Sequence, residues 1–281
     1  MNETQAAITA GDSPAAANTA IMTVRNLGKN FGGIVAVEDL TFEIRPLQVM
    51  GIIGPNGAGK TTVFNLITGV YKPSNGDIIF LDKNISGHPP DEIVKSGISR
   101  TFQNIRLFKN LSVLENVVTA LDLHNPLYNL VDTFFLNWPL IPCKVKTKEK
   151  ELREKAMYYL DLLGIGDLAG KQASALPYGL QRKLEIARAL ALEPKLLLLD
   201  EPAAGMNLEE TRELGRLIKE IQNKLSFTVF LIEHHMDLVM DICDHIYVIN
   251  FGRELAQGNA EEIQNNPTVL KAYLGEERKK C

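Results

Sequence analysis

Gly54-Pro-Asn-Gly-Ala-Gly-Lys-Thr61 is the stretch from which the rest of this 281-residue chain is read. It fits the pattern GxxxxGK[ST], and its flanks have the required character. Val49 to Ile53 is apolar, as a strand would be, and a helix is expected from about Lys60 to Thr68. Glycines let the backbone turn tightly, so that successive N–H groups face one point. The helix that follows directs its positive end at the same point. Such a loop grips a polyphosphate, with Lys60 reaching the outer phosphates and Thr61 offering a hydroxyl to Mg²⁺. With glycine at about 7% of residues, a chance match in a chain this long arises on the order of one time in a hundred.

Outward from the loop, strands are expected at Thr41 to Ile44 and Ile78 to Leu81. The uninterrupted apolar runs Leu196 to Leu199, Thr228 to Ile232 and Ile246 to Ile249 have the pattern of strands covered on both faces of a parallel sheet. Between them, Leu208 to Lys224 reads as a helix. From roughly Asn104 to Ala175 the chain looks helical; Lys148 to Leu163 places Leu152, Ala156, Tyr159, Leu160 and Leu163 on one face. The alternation implies an α/β fold with a helical insertion and no internal repeat. The folded part is expected to begin near Ile21. Met1 to Ala20 is rich in Ala, Asn and Thr, lacks the basic start and apolar run of a signal peptide, and reads as a disordered lead-in.

Leu196-Leu-Leu-Leu-Asp-Glu-Pro202 ends a buried strand on two carboxylates, and ligands in open α/β sheets bind at such carboxyl ends. Adjacent side chains diverge, so the two acids take different tasks. Asp200 is expected to hold Mg²⁺ through its water shell. Glu201 is expected to orient and deprotonate an attacking water.

The formal net charge of −4 argues against a nucleic-acid binder. Cys143, Cys243 and Cys281 are far apart with no CxxC pair, which argues against a zinc site or a disulfide framework. No apolar run has the length of a bilayer span; Phe134 to Ile141 is interrupted by Asn137 and Pro139. A soluble chain is expected, with any membrane role exercised through a partner.

Four further segments resemble the ABC ATPase family, in order and spacing, from about Ile21 to the C-terminus. Gln103 in Arg100-Thr-Phe-Gln103 resembles the Q-loop, and Leu176-Pro-Tyr-Gly-Leu-Gln-Arg182 the signature sequence. Ala203-Ala-Gly-Met-Asn207 resembles the D-loop, and Ile232-Glu-His-His235 the switch, with His234 in the histidine position. The resemblance implies a P-loop NTPase with a RecA-like parallel-sheet core and an antiparallel β subdomain. It also implies a helical subdomain over about 104–190 and a C-terminal tail over about 251–281, all within one domain spanning 21–281.

It further implies that two such subunits, the same or sister chains, pack head to tail around two ATP molecules. Gly54, Pro55, Asn56, Gly57, Ala58, Gly59, Lys60, Thr61 and Thr62 would hold one ATP, with Phe31 stacked on adenine. Gln103 would touch Mg²⁺, and His234 would align the γ-phosphate with the attacking water. Tyr178, Gly179, Leu180 and Gln181 would meet the ATP of the partner subunit. Departures are Pro177 and Tyr178 in place of the serine and first glycine of the signature, Asn207 for the D-loop aspartate, and His235 for the aspartate after the histidine. A proline near the first helical turn is sterically acceptable.

Within the family the chain is most similar to the ATPases of bacterial branched-chain amino acid importers. The residues that carry this are Tyr178-Gly-Leu-Gln-Arg-Lys-Leu-Glu-Ile-Ala187, Arg100-Thr-Phe-Gln-Asn-Ile-Arg-Leu-Phe108 and Gly258-Asn-Ala-Glu-Glu-Ile-Gln-Asn-Asn-Pro267. That similarity implies two integral-membrane permease subunits as partners, an external solute-binding protein acting indirectly, and a peripheral position on the cytoplasmic face of the inner membrane. Urea or amide importers and lipopolysaccharide exporters use similar ATPases and stand as alternatives. Less fitting are non-transport ABC ATPases of translation or DNA repair, and a binding module without catalysis.

Overall fold

The computed structural model describes residues 20–122 and 142–277. The expected disordered lead-in up to residue 19 and residues 123–141 of the expected helical insertion, including Phe134 to Ile141, lie outside the described residues. Among the described residues, ten strands form two sheets. The larger comprises β3 (Val49–Ile53), β6 (Ile98–Arg100), β7 (Leu196–Asp200), β8 (Thr228–Ile232), β9 (His245–Asn250) and β10 (Arg253–Gly258), in the order β10-β9-β3-β8-β7-β6. All its neighbours are parallel except β9 and β10. The smaller is antiparallel and comprises β1 (Met22–Phe31), β2 (Ile34–Ile44), β4 (Asn75–Phe80) and β5 (Lys83–Asn84), in the order β2-β1-β4-β5.

The central strands show why the apolar runs are uninterrupted. Side chains alternate across a strand, and here both faces are covered. Leu197 and Leu199 of β7 and Val229 and Leu231 of β8 enter one hydrophobic cluster. Leu196, Leu198, Phe230 and Ile232 enter the other, which the antiparallel sheet and α1 (Lys60–Ile67) share. Each such side chain contributes roughly 1.5–3 kcal/mol by leaving water. The first cluster is closed by α3 (Val113–Asp122), α4 (Pro142–Leu162), α5 (Tyr178–Leu190), α6 (Leu208–Leu225) and α7 (Met236–Ile242). Short α2 (Pro90–Lys95) precedes β6, while α8 (Ala260–Gln264) and α9 (Pro267–Glu277) follow β10.

The parallel core, the separate antiparallel sheet and the helical layer follow the sequence reading. Ala156, Tyr159, Leu160 and Leu163 are buried as the helical spacing required, with Leu152 partly buried beside them. Two local expectations change. Leu81 is not in β4: Leu81 and Asp82 both adopt positive φ, 47° and 61°, the conformation of a two-residue hairpin turn into β5. β1 escaped a strand assignment because register shifts between Val24 and Leu27 and between Leu27 and Asn30, with Asn26 at φ 47°, break its alternation.

Candidate functional site

The phosphate loop leaves the C-terminal end of β3 and enters α1. Glycine is required where the loop meets its neighbours. Gly59, the residue before α1, has φ 104°, and a Cβ there would lie 2.6 Å from the Ala36 carbonyl oxygen. At Gly54 a Cβ would lie 2.1 Å from the Ile249 carbonyl oxygen. The loop is therefore wedged between β2 and the β9–β10 turn, whose Gly252 donates to the Ala58 carbonyl at 2.9 Å. Lys60 is buried, and its Nζ donates to the carbonyls of Gly54 at 2.7 Å and Pro55 at 3.0 Å. That ammonium stands inside the turn, where it meets an incoming anion.

A cavity of about 220 Å³ opens over the loop, lined by Ala36, Asn56 through Thr62, Glu201 and His234. Glu201 reaches it through an uncommon backbone conformation. β7 ends at Asp200, and Glu201 has φ 48°, left-handed for a residue with a side chain. Its amide donates to the Ile232 carbonyl at 2.9 Å, and the Ala204 amide donates to its own carbonyl at 3.1 Å. The turn sends the two carboxylates apart. Glu201 Oε1 lies 2.6 Å from His234 Nε2, and Glu201 Oε2 accepts from Gln103 Nε2 at 2.7 Å.

Asp200 instead meets Arg100, which ends the neighbouring strand β6. Their ion pair is 2.6 Å long and almost wholly buried, with side chains 3% and 6% exposed. The same guanidinium donates to Asn65 Oδ1 at 2.7 Å and to Thr68 Oγ1 at 3.2 Å, so strand end and α1 are tied together. The expected magnesium carboxylate is thus an ion-pair partner here, and the expected magnesium contact of Gln103 is a hydrogen bond to Glu201.

Sequence reasoning passed over Glu233. It is buried at 1% exposure, and its carboxylate accepts from the amides of Ala203 at 2.8 Å, His234 at 2.8 Å and His235 at 3.1 Å. The ring Nδ1 of His235 stands 3.0 Å from the same carboxylate. Glu233 therefore joins the D-loop segment to the switch segment and fixes which histidine does what: His235 is turned to Glu233, and His234 to Glu201. The signal was available, since a carboxylate inside an apolar strand end has to be paired. Asn207, which replaces the D-loop aspartate, caps α6: its side chain accepts from the Glu210 amide while Glu210 accepts from the Asn207 amide.

The remaining expected residues are not gathered in this cavity. Tyr178, Gly179, Leu180 and Gln181 form the first turn of α5, begun by Pro177 at φ −54°. Tyr178 is 44% exposed, and Gln181 Nε2 donates back to the Leu176 carbonyl at 2.8 Å. Phe31, at the end of β1, is 40% exposed and meets Tyr71 edge-on at 5.1 Å, with Lys29 Nζ 5.0 Å from its ring centre. The Phe31–Tyr71 pairing was also not read from the sequence.

The residues present fit a triphosphate with its metal. Tight glycine turns at Gly54 and Gly59, amides at a helix start, a buried lysine and the hydroxyls of Thr61 and Thr62 are what a polyanion needs. No group of three or more His, Cys, Asp or Glu placed to hold a metal ion by itself occurs among the described residues. Mg²⁺ held largely by phosphate oxygens and water does not require one.

Residues 37–204 match the family model described as ABC transporter. Residues 253–279 match that of the branched-chain amino acid ATP-binding cassette transporter. The chain is 45% identical to the high-affinity branched-chain amino acid transport ATP-binding protein LivG of Escherichia coli K12, over 91% of this chain and 98% of that protein. It is 44% identical, with the same coverage, to BraF of Pseudomonas aeruginosa, which carries the same description. Among solved structures, the ADP conformation of MJ1267, an ATP-binding cassette of an ABC transporter, superposes with a TM-score of 0.78 at 32% identity, covering 92% of this chain and 99% of the other. A nucleotide-free ATP-binding cassette from an ABC transporter gives a TM-score of 0.77 at 34% identity, covering 91% and 99%.

Proposed function

The chain belongs to the ABC transporter family of ATP-binding proteins, and from that premise we propose that it hydrolyses ATP to power uptake of branched-chain amino acids through partner membrane subunits. The observation that carries the reading is the convergence of the phosphate loop, Glu201 and His234 on one cavity. The match of residues 253–279 favours branched-chain amino acids over the related urea, amide and lipopolysaccharide systems.

In this reading the loop amides and Lys60 bind the β- and γ-phosphates, Thr61 and Asp200 hold Mg²⁺, and Phe31 stacks on adenine. Bound Mg²⁺ would neutralise charge on the phosphate oxygens. Glu201 accepts the proton of the attacking water, and His234, already on Glu201, holds that water in line. Asp200, paired with Arg100, would hold Mg²⁺ through its water shell. Gln103 reports the state of the site by moving off Glu201. The first turn of α5, open to solvent at Tyr178, meets the nucleotide of a second ATPase subunit packed head to tail, identical or sister. Pro177 lacks an N–H and a hydroxyl, so the amides beyond it and the helix dipole carry that contact.

No helix among the described residues is long and apolar enough to cross a membrane. The chain acts as a peripheral subunit on the cytoplasmic face, beneath two permease subunits. Their contact falls on Asn104 to Leu123, beside a groove of about 330 Å³ walled by Arg106 stacked on Phe102 and Arg188 stacked on Phe108.

The test is Glu201→Gln in the reconstituted transporter. ATP binding should persist while cleavage slows by on the order of a hundredfold or more, trapping a nucleotide-bound dimer. Turnover that survived this change would exclude Glu201 as the base. Labelled leucine and urea uptake by the same vesicles would discriminate the substrates.

A further inference from the structure

The segment from Phe102 to Arg106 contains the Gln103 that reaches Glu201, yet it has neither helix nor sheet to hold it. Its recorded main-chain hydrogen bonds all end on side chains of α5. Arg182 Nη1 donates to the Phe102 carbonyl at 2.7 Å, and Arg182 Nη2 donates to the Gln103 carbonyl at 2.8 Å. Glu185 Oε1 accepts from the amides of Phe102 at 3.4 Å and Arg106 at 3.2 Å. Arg188 donates to the Arg106 carbonyl. Arg182 and Glu185 are themselves paired at 2.6 Å with side chains 0% and 6% exposed. Burial pushes the Glu185 carboxyl up, against the pull of Arg182 and the two amides. A buried pair of this kind cannot slide along its partners without leaving a charge unpaired in the interior, so the loop is constrained to move with the helix.

The Arg182 nitrogen that donates to Gln103 also touches the signature. Arg182 Nη2 lies 3.2 Å from the Tyr178 hydroxyl, and the guanidinium carbon is 5.9 Å from the centre of that ring. An unbroken set of contacts therefore runs from Tyr178 through Arg182 to the Gln103 main chain, from the Gln103 side chain to Glu201, and on to His234.

We propose that Arg182 is a positioning residue that couples the two nucleotide sites of the assembled ATPase. When the start of α5 seats on the neighbouring subunit's nucleotide, Arg182 moves Gln103 relative to the base of this chain's own site. The inference rests on the functional reading above, in which Tyr178 faces the partner's nucleotide and Glu201 is the base. Contiguity alone does not establish coupling, so the measurement has to be one of coupling.

The experiment uses the complete transporter in vesicles. It records steady-state ATP hydrolysis together with hydrogen exchange, with and without ATP, in peptides spanning 101–107. Arg182→Lys keeps the charge but loses the planar fork. It should lower kcat by about tenfold while KM for ATP shifts by no more than about twofold. ATP-dependent protection of 101–107 should disappear, with exchange in β7 and β8 unchanged. Tyr178→Phe removes a single hydroxyl and serves where Arg182→Lys assembles poorly. It should lower kcat by a smaller factor, and the double variant should be no slower than Arg182→Lys alone. The proposal is overturned by multiplicative effects in the double variant, or by an unchanged kcat. It is also overturned if exchange rises uniformly through the sheet, which marks Arg182 as a packing residue only. Failure of the unsubstituted complex to bind ATP would instead remove the functional reading beneath it, and is seen before any variant is made.

Discussion

The loop at 54–61, which shares a cavity with Glu201, and the loop at 101–108, whose Gln103 bonds Glu201, are built in opposite ways. The first is shaped by its own backbone: glycines tolerate the close approach of Ala36 and Ile249, and Lys60 folds back onto the loop's own carbonyls. The second is held from outside, by Arg182, Glu185 and Arg188 of α5 and by Asn116 of α3. A binding cradle has to be rigid before its ligand arrives, whereas a loop that transmits motion has to be attached to whatever moves. The difference predicts that damage to the first loop abolishes binding, and that damage to the second spares binding and alters rate or stability.

The largest effect should come from Gly59→Ala. The substitution imposes φ 104° on a residue with a side chain and drives a Cβ against the Ala36 carbonyl. Relief requires the loop to open, and a cost of about 3 kcal/mol corresponds to a loss of ATP affinity on the order of a hundredfold. Fluorescent-nucleotide titration of the purified chain measures it. Unchanged affinity would mean that the loop is not preformed, and the contrast between the two loops would be lost.

Glu233→Gln comes next. The carboxylate accepts three hydrogen bonds from main-chain amides of the D-loop and switch segments and stands 3.0 Å from His235 Nδ1, and an amide nitrogen turned toward the same donors cannot accept. The expected result is a fall in kcat of about tenfold, as for the loss of a hydrogen bond to a charged group, with ATP affinity preserved. A parallel loss of affinity would place Glu233 in the cradle and not behind it.

Behind the other loop, Asn116 of α3 is buried at 0% exposure; its side chain accepts from the Phe108 amide at 2.9 Å and donates to the carbonyls of Phe108 at 3.0 Å and Ser112 at 2.9 Å. Asn116→Ala should destabilise the fold by roughly 1–3 kcal/mol, because main-chain groups of the loop lose their partner. Chemical denaturation measures this, and nucleotide affinity in native buffer should not change.

The same contrast accounts for what the sequence disclosed. The phosphate loop, Asp200-Glu201 and the buried strands were legible because their chemistry is local: a motif, a strand end, an unbroken apolar run. The direction each acid takes was not legible. It depends on φ 48° at Glu201 and on Arg100, a hundred positions from Asp200, ending the adjacent strand. Arg182 and Glu185 were visible as helix residues, but nothing in their spacing said that they face a loop some eighty positions earlier. β1 was missed because bulges erase a two-residue period. Phe31 and the first turn of α5 stand outside the cavity, so their roles came from resemblance alone.

The smallest effect is the one that best isolates structure from family pattern. Asn207→Asp restores the usual D-loop residue, and on the pattern alone it should raise hydrolysis. In this chain the position is the N-cap of α6, in a reciprocal arrangement with Glu210 and with Glu209 in the same turn. Asn and Asp cap about equally well, and the charge gained toward the helix dipole is offset by the two neighbouring glutamates. Stability should therefore stay within about 0.5 kcal/mol, as for a substitution that keeps its cap. Hydrolysis by the assembled complex should change by less than about twofold, because the cap of α6 and the separate Ala203 contact to Glu233 are both kept. A large gain in rate with no change in stability would show that the aspartate acts across the subunit interface, a role this capping arrangement does not provide.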